Sequence, residues 1–448
     1  MISGFFFCGK RAKIKFKYAS TAHPMLFEFS VSNFRSILTR QALSLIASGD
    51  STHAQGNTVP TESKDLRLLR SAVIYGPNAA GKSNLLKGLQ ALQWLVQNSS
   101  SGLQEGQRLP VAPFMLSTAS RSEPTAFEIM FAVGATRFHY GVELTTERVT
   151  KEWLVAYPLG RPQRWFEREF KLENGGTTWW FGPNFKGESK QRQVWQNSTR
   201  SNALFLSTAV QLNNEQLRPV FDWIVHKLIV LAPGIDFNPF LSLEMLKLEE
   251  TRQRLMQFIS AAGVEIDRLE LREEEGLASV VPLVANVPGL VIPPQAAVAQ
   301  KVLRVVAWHK ASDGSEDVAF DLSEESDGTR KLFEFAGGWL RALDSGATLF
   351  VDELDRSLHP KLTHYLVQLF NSKTNRNNAQ LVFTTHDTTL LDPDLLRRDQ
   401  VWFVEKNPQR ASHLYSLLEF SPRKDEALER GYLKGRYGAI PLIGRWDW

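Results

Sequence analysis

The chain has 448 residues and a formal net charge of +4, with 52 lysines and arginines against 48 aspartates and glutamates. Residues 1–24 contain five basic residues and no acid, so without this segment the charge falls from +4 to −1. The rest of the chain is nearly neutral, so its net charge does not indicate binding to DNA or RNA. A nucleic-acid partner is possible but is not supported by the charge. The only cysteine, Cys8, excludes a disulfide framework within the chain and permits a reducing cytosol.

Residues 1–24 are predicted to be a disordered extension or an upstream start, with a basic targeting or nucleic-acid arm as the alternative. Phe5, Phe6 and Phe7 precede the basic residues, which reverses the order of a secretory signal. No apolar run is long enough to predict a transmembrane helix. We therefore expect a cytoplasmic protein without a membrane partner, and a first strand that begins near Met25.

The most informative motif follows the apolar run 72–75 and precedes a helix-like pattern. It is a P-loop, strand then glycine-rich turn then helix, whose backbone N–H groups would cradle phosphates. In this pattern Lys82 reaches the β- and γ-phosphates and the Ser83 hydroxyl binds Mg²⁺. The sequence thus predicts ATP binding by Gly76, Pro77, Asn78, Ala79, Ala80, Gly81, Lys82, Ser83 and Asn84.

Residues 126–133 and 136–144 alternate in polarity around Gly134 and predict paired antiparallel strands, with a further strand at 153–157. A stretch rich in tryptophan and basic residues follows. It is typical of nucleic-acid contact, partner contact or plain packing, and glutamates in the same stretch reduce its charge. Its tryptophans are Trp165, Trp179, Trp180 and Trp195.

From Asn202 the pattern becomes helical. Gln211 is a candidate for a glutamine that senses Mg²⁺, although an ordinary surface glutamine is the alternative. Residues 241–262 predict one amphipathic helix that stops at Gly263.

Three polar motifs lie in the last third of the chain. Ser326 and Gly328 open a helical pattern and form a second anion-binding terminus. The buried-type strand 347–351 ends in Asp352 and Glu353, which fit a Walker B pair: the first residue holds Mg²⁺ and the second activates water. A further strand, 380–385, ends at His386, where the carboxyl edge of the sheet would meet the γ-phosphate.

This order of motifs resembles the ABC-type ATPase head. In that family the Ser-x-Gly signature of one head caps the γ-phosphate held by the P-loop of another. The resemblance implies that Ser326 and Gly328 form the signature, that Asp355 lies in the D-loop, and that His386 is the switch histidine. The chain contains one P-loop, so the second head would be another polypeptide, most simply a second copy in a homodimer or higher homo-oligomer.

The resemblance can be narrowed within that superfamily. Asn33, Phe34 and Arg35 resemble an element of the Rad50, SMC, RecF and OLD branch, which implies that Arg35 approaches the nucleotide phosphates. Segments 325–329, 357–360 and 435–441 resemble RloA-type bacterial ATPases, found beside restriction or abortive-infection genes. Glu324 and Glu325 precede the signature serine, unlike the Leu-Ser-Gly-Gly-Gln of transporters.

We therefore predict an α/β P-loop NTPase of the ABC-head type, with a mixed central sheet, an antiparallel β-layer and a helical subdomain. We expect an extension at 1–24 and a head formed by two halves, 25–200 and 321–448. A helical insertion at 201–320 separates the two halves. The expected function is ATP hydrolysis with Mg²⁺ that controls a separate effector, a nuclease or toxin, in phage defence. A DNA-repair or DNA-scanning ATPase and an ATP-gated scaffold with little turnover are the alternatives.

Overall fold

The computed structural model describes residues 24–61, 66–173, 175–231, 239–278, 298–356, 358–423 and 426–441. The predicted basic extension lies outside these residues except for Pro24. In the described part of the chain, no helix combines the length and the apolar character that crossing a membrane requires.

The strands are three to twelve residues long. In chain order they are β1 (Met25–Ser32), β2 (Gln41–Ser44), β3 (Thr58–Pro60), β4 (Arg67–Leu69), β5 (Ser71–Tyr75), β6 (Thr125–Val133), β7 (Thr136–Leu144), β8 (Val149–Tyr157), β9 (Gln163–Lys171), β10 (Gly176–Phe181), β11 (Leu228–Leu231), β12 (Arg268–Ala278), β13 (Val298–His309), β14 (Val318–Asp321), β15 (Thr348–Val351), β16 (Gln380–Thr384), β17 (Val401–Lys406) and β18 (Ser412–Ser416).

The helices connect and cover these sheets. They are α1 (Ala54–Asn57), α2 (Lys82–Asn98), α3 (Ser189–Asn197), α4 (Phe205–Gln211), α5 (Arg218–His226), α6 (Phe240–Leu246), α7 (Glu249–Ala261), α8 (Asp327–Ser345), α9 (Pro360–Phe370) and α10 (Leu428–Leu433).

A six-stranded sheet carries the functional loops. Its order is β11-β15-β16-β5-β17-β18, and the first five strands are parallel while β18 runs antiparallel to β17. Every residue of β5, β15 and β16 is buried, as expected for strands covered on both faces. Because these three strands are parallel neighbours, the loops that follow them meet at one edge of the sheet.

An antiparallel sheet forms the second layer, and α2 lies between the two layers. The order of this sheet is β10-β9-β8-β7-β6-β1-β2, and β6 pairs with β7 through the turn at Gly134, as predicted. Leu85, Leu89 and Leu92 of α2 share one core with Phe29 of the antiparallel sheet and Ile74 of the parallel sheet. The predicted α/β fold with a mixed sheet and an antiparallel layer is confirmed.

The segment 201–320 differs from the helical expectation in two ways. Strand β11 of this segment joins the parallel sheet, and β12, β13 and β14 form a three-stranded antiparallel sheet. Around Leu269 and Leu271 apolar and charged residues alternate strictly, which is the period of a strand. The predicted single helix over 241–262 is also wrong, because α6 ends at Leu246 and α7 begins at Glu249.

The tryptophan-rich stretch serves mainly in packing. Trp195 is buried, and Trp165 and Trp179 pack against the core beneath the antiparallel sheet. Trp180 is 45% exposed. Two neighbouring cations are paired with glutamates, Arg164 with Glu167 and Lys171 with Glu169.

Candidate functional site

The P-loop curls tightly between β5 and α2. A Cβ on Gly76 would lie 2.2 Å from the carbonyl oxygen of Val404, so only glycine fits there. Gly81 has φ +113°, and a Cβ on it would lie 2.0 Å from the Ser412 hydroxyl oxygen. These contacts explain the motif glycines by close backbone approach and left-handed geometry. Of the other loop residues, Asn78 and Ala79 are exposed, Pro77 is half-buried and Ala80 is buried.

Lys82 begins α2 and is only 6% exposed. Its ammonium group donates to the carbonyl oxygen of Gly76 at 2.8 Å and to Nε2 of neutral His386 at 3.2 Å. Burial lowers the pKa of Lys82, and the nearby carboxylates of Asp352 and Glu353 oppose that shift. The amine therefore lies among the P-loop carbonyl groups, in position to interact with a phosphate.

The Walker B residues meet the P-loop directly. The Ser83 hydroxyl donates to Oδ2 of Asp352 at 2.6 Å. The Thr384 hydroxyl donates to Oδ1 of the same carboxylate at 2.6 Å, and it accepts the backbone N–H of Glu353 at 2.7 Å. Glu353 is exposed and has φ +52°. The structure thus brings together the predicted metal residues Ser83 and Asp352, with Glu353 at the same edge.

His386 and Asp355 form the next part of the site. The backbone N–H of His386 donates to the two carboxylate oxygens of Asp355 at 3.3 and 3.2 Å. Burial lowers the pKa of His386, and the positive charge of Lys82 adds to this shift. The hydroxyl of Tyr75, the last residue of β5, donates to the carbonyl oxygen of Asp387 at 2.9 Å. These contacts fix the loop that carries the histidine beside the P-loop.

The Asn33–Arg35 element also reaches the P-loop, through the next residue. The Ser36 hydroxyl oxygen accepts from Nδ2 of Asn84 at 2.7 Å and shares a hydrogen bond of 2.8 Å with Ser412. The Ser412 hydroxyl in turn donates to the carbonyl oxygen of Ala80 at 2.6 Å. Arg35 is exposed, with φ +52°. The loop of Arg35 therefore lies beside the P-loop.

In the described residues, the hydrogen bonds of Ser326, a predicted signature residue, join it to Thr329 and Arg330 of its own helix. Ser326 is the N-cap of α8, where its hydroxyl oxygen accepts the Thr329 N–H at 3.1 Å. Ser326 is exposed, and Gly328 lies in the first turn of the helix. The loop ahead of Ser326 is held by Glu325, whose carboxylate lies 2.7 Å from Nε2 of His309 on β13.

Gln211 is not brought to the site. It is the last residue of α4, and this helix docks on the far end of α2: the Ser207 hydroxyl donates to the Val96 carbonyl oxygen at 2.6 Å. Ser83 and Val96 are separated along the helix by about 20 Å at 1.5 Å per residue. The position of Gln211 gives no support to a metal-sensing role.

The oxygen ligands fit ATP with Mg²⁺. In the described residues, no group of three His, Cys, Asp or Glu side chains could hold a metal ion alone. Mg²⁺ in nucleotide sites takes one or two protein oxygens and completes its shell with phosphates and water. The hydroxyl of Ser83 and the carboxylate of Asp352 are oxygens of this kind, and the N–H groups at the N-terminus of α2 are donors that suit phosphates.

Four polar residues of the site have no motif signal in the sequence. Thr384, Tyr75, Ser36 and Ser412 all contact the predicted motifs through hydrogen bonds. Only the position of Thr384, at the end of the strand that leads to His386, could have indicated it.

One family model and several solved structures match the chain. The family described as "AAA domain, putative AbiEii toxin, Type IV TA system" matches residues 71–392, from the first residue of β5 to beyond the histidine loop. Among curated proteins no sequence match is found.

The structural matches include SMC head domains and the recombination mediator protein RecF. The SMC head bound to the C-winged helix domain of ScpA is 11% identical with a TM-score of 0.40, covering 87% of this chain and 97% of that chain. The SMC head domain from Thermotoga maritima is 14% identical with a TM-score of 0.38, covering 87% and 98%. The recombination mediator RecF with ATP is 14% identical with a TM-score of 0.34, covering 89% and 100%. Identity and superposition are both low, so the family assignment rests on the matched family model.

Proposed function

Because the chain belongs to the family described as "AAA domain, putative AbiEii toxin, Type IV TA system", we propose that it binds ATP with Mg²⁺ and hydrolyses it. The observation that carries this proposal is the hydrogen bond of 2.6 Å between Ser83 and Asp352, two residues 269 positions apart. P-loop NTPases use this hydroxyl and this carboxylate to hold the metal.

Each residue of the site has a distinct role in the proposed reaction. Lys82 neutralises charge on the β- and γ-phosphates, and His386 contacts the γ-phosphate. Glu353 orients a water molecule and takes its proton as the water attacks the γ-phosphorus. The bond to the bridging oxygen breaks, and ADP and inorganic phosphate leave. Mg²⁺ held by Ser83 and Asp352 would offset the charge that develops on the phosphate oxygens.

The proposed partner is a second copy of the chain that supplies Ser326. Helix α8 has 19 residues and is about 28 Å long, whereas β15 has four residues and is about 13 Å long. Since Gly346 reverses the chain between them, the first turn of α8 extends past the carboxyl edge of β15 by up to about 15 Å. An exposed serine on such a projection fits a contact with another molecule better than a contact within its own chain.

The proposed domain arrangement follows the sheet. Segments 25–200 and 321–448 both contribute strands to the parallel sheet, which supports their assignment to one head. Segment 201–320 lies between them in the chain, and its β11 also joins the edge of this sheet. Within this proposal Arg35 approaches the phosphates from its loop beside Asn84.

We propose phage defence as the biological role, with a separate nuclease or toxin as the effector. The family description names a putative AbiEii toxin of a toxin–antitoxin system, and this favours a function that requires a second gene product. The antiparallel sheet gives little support to the DNA-repair alternative, because Arg164 and Lys171 form ion pairs with glutamates that offset their positive charge.

A phosphate-release assay on the purified protein tests the proposal. We expect Mg²⁺-dependent ATP hydrolysis that is lost in Lys82→Ala and changed by the product of a neighbouring effector gene. Stimulation by DNA with steep salt sensitivity would favour the repair alternative instead. Slow turnover that no partner alters, with a partner that assembles only in ATP, would favour the scaffold. Undiminished hydrolysis by Lys82→Ala would place the site elsewhere.

A further inference from the structure

One threonine hydroxyl joins the two acids of the Walker B pair. Thr384 is the last residue of β16, between β15 and β5 in the sheet, and it is fully buried. Its hydroxyl donates to Oδ1 of Asp352 at 2.6 Å and accepts the backbone N–H of Glu353 at 2.7 Å. Its carbonyl oxygen accepts the Leu354 N–H at 3.0 Å. The end of β16 therefore holds three consecutive residues after β15.

These contacts fix the direction of the Asp352 carboxylate. The hydrogen bonds of Oδ1 to Thr384 and of Oδ2 to Ser83 oppose rotation of the carboxylate about its Cβ–Cγ bond. A metal ligand that is already oriented loses less conformational freedom when the ion binds.

The same hydroxyl supports an unfavourable backbone conformation. Glu353 has φ +52°, in the left-handed region that residues with a Cβ disfavour. The hydrogen bond from its N–H to Thr384 compensates for this conformation. In this conformation the side chain of Glu353 remains exposed at the edge of the sheet.

We propose that Thr384 is a positioning residue of the ATPase site, which orients the metal-binding Asp352 and the water-activating Glu353 together. This inference rests on the proposed hydrolysis of ATP. Valine has the shape of threonine without the hydroxyl, whereas serine keeps the hydroxyl without the methyl group. The two substitutions therefore separate orientation from packing.

The test compares Thr384→Val, Thr384→Ser and Thr348→Val. Thr348 is a matched control: a buried threonine at the other end of β15, whose hydroxyl donates to the Gln380 side chain at 3.2 Å. The measurements are kcat and KM for ATP, the Mg²⁺ concentration for half-maximal activity, the melting temperature, and the Kd of a fluorescent ATP analogue with Mg²⁺ and with EDTA.

We expect Thr384→Val to lower kcat and to raise the half-maximal Mg²⁺ concentration, each by about 10- to 100-fold, as loss of an outer-shell partner does. The Kd measured in EDTA and the melting temperature should change no more than in Thr348→Val. Thr384→Ser should restore most of the activity and of the Mg²⁺ response.

Wild-type values in Thr384→Val would overturn the inference, as would equal losses in the valine and serine variants. Absence of turnover in the wild-type protein would contradict the proposed hydrolysis. The binding measurement would then decide whether Thr384 has the positioning role. In that case Thr384→Val should still lose the strengthening of nucleotide binding by Mg²⁺, and an unchanged Mg²⁺ effect would overturn the positioning role.

Discussion

Replacing Gly81 by alanine should strongly lower the affinity for ATP, because two structural features at this position disfavour a side chain. The left-handed φ of +113° would cost a residue with a Cβ about 1–3 kcal/mol. The new Cβ would lie 2.0 Å from the Ser412 hydroxyl oxygen. Moving that hydroxyl breaks its hydrogen bonds to Ala80 and Ser36, at about 1 kcal/mol each. The P-loop conformation would thus be destabilised by roughly 3–5 kcal/mol.

That cost corresponds to a loss in ATP affinity of roughly 100-fold or more, since 1.4 kcal/mol is tenfold. Isothermal titration with ATP and Mg²⁺ measures the affinity, and a thermal melt measures the fold. Gly88→Ala is the matched control on the same helix, because its Cβ would meet Val31, Phe127 and Phe29 at ordinary contact distances of 3.4, 3.5 and 3.6 Å. It should bind ATP as the wild-type protein does. Wild-type affinity in Gly81→Ala would refute the close packing of the P-loop.

Three further results are expected. Glu353→Gln should bind ATP but hydrolyse it at least about 100-fold more slowly, and closed dimers should accumulate in sedimentation experiments; wild-type turnover would exclude Glu353 as the group that activates water. Burial and the charge of Lys82 hold the pKa of His386 below its ordinary value of 6.5, so the neutral ring is favoured in the folded state and stabilises it above pH 6.5. This contribution is lost as the pH falls through the folded pKa. Below pH 6.5 the melting temperature should therefore fall more steeply with pH in the wild-type protein than in His386→Gln. Equal slopes would contradict a lowered pKa of His386. Glu152→Ala would leave the buried guanidinium of Arg168 without its partner and should cost about 3–5 kcal/mol of unfolding free energy, read from denaturant melts, with an unchanged KM for ATP if the pair is purely structural.

The sequence was sufficient for the parts of the site that are contiguous. The P-loop and the Walker B pair are each written in consecutive residues, and the strand before each is a short apolar run. Placing the two motifs at the same edge of the sheet required only that buried strands of this kind be parallel. The pairing of β6 with β7 was predictable for a similar reason, because alternation and a central glycine are local signals.

The contacts that tie these motifs together are not local. Ser36 and Ser412 are 376 positions apart, and no property of a serine in the sequence indicates that it will lie under a P-loop. The position of Gln211 was unpredictable for the same reason. The sequence indicates its helix, but tertiary packing decides that this helix docks on the far end of α2.

The break between α6 and α7 is also a tertiary effect. Neither Lys247 nor Leu248 is a helix breaker, yet Leu248 takes an extended conformation with φ −117°. Helix α6 is held against α8 where a Cβ on Gly337 would lie 2.4 Å from the backbone nitrogen of Ser242. Helix α7 contacts both α8 and β12, as α6 does, and Arg254 of α7 pairs with Asp344 of α8. The chain therefore changes direction between two helices that pack on the same elements, and the apolar period of the sequence does not reveal this turn.

The composite site proposed for ATP hydrolysis takes Lys82 from one chain and Ser326 from another. Ser326→Arg should bind ATP but not hydrolyse it, and Lys82→Ala should be inactive. The two variants, co-expressed with different affinity tags and purified as mixed dimers, contain one complete site made of the P-loop of one chain and the signature of the other. We predict that ATPase activity in these mixed dimers rises clearly above that of either variant alone. Full activity of Ser326→Arg by itself, or no recovery in the mixed dimers, would contradict the composite site.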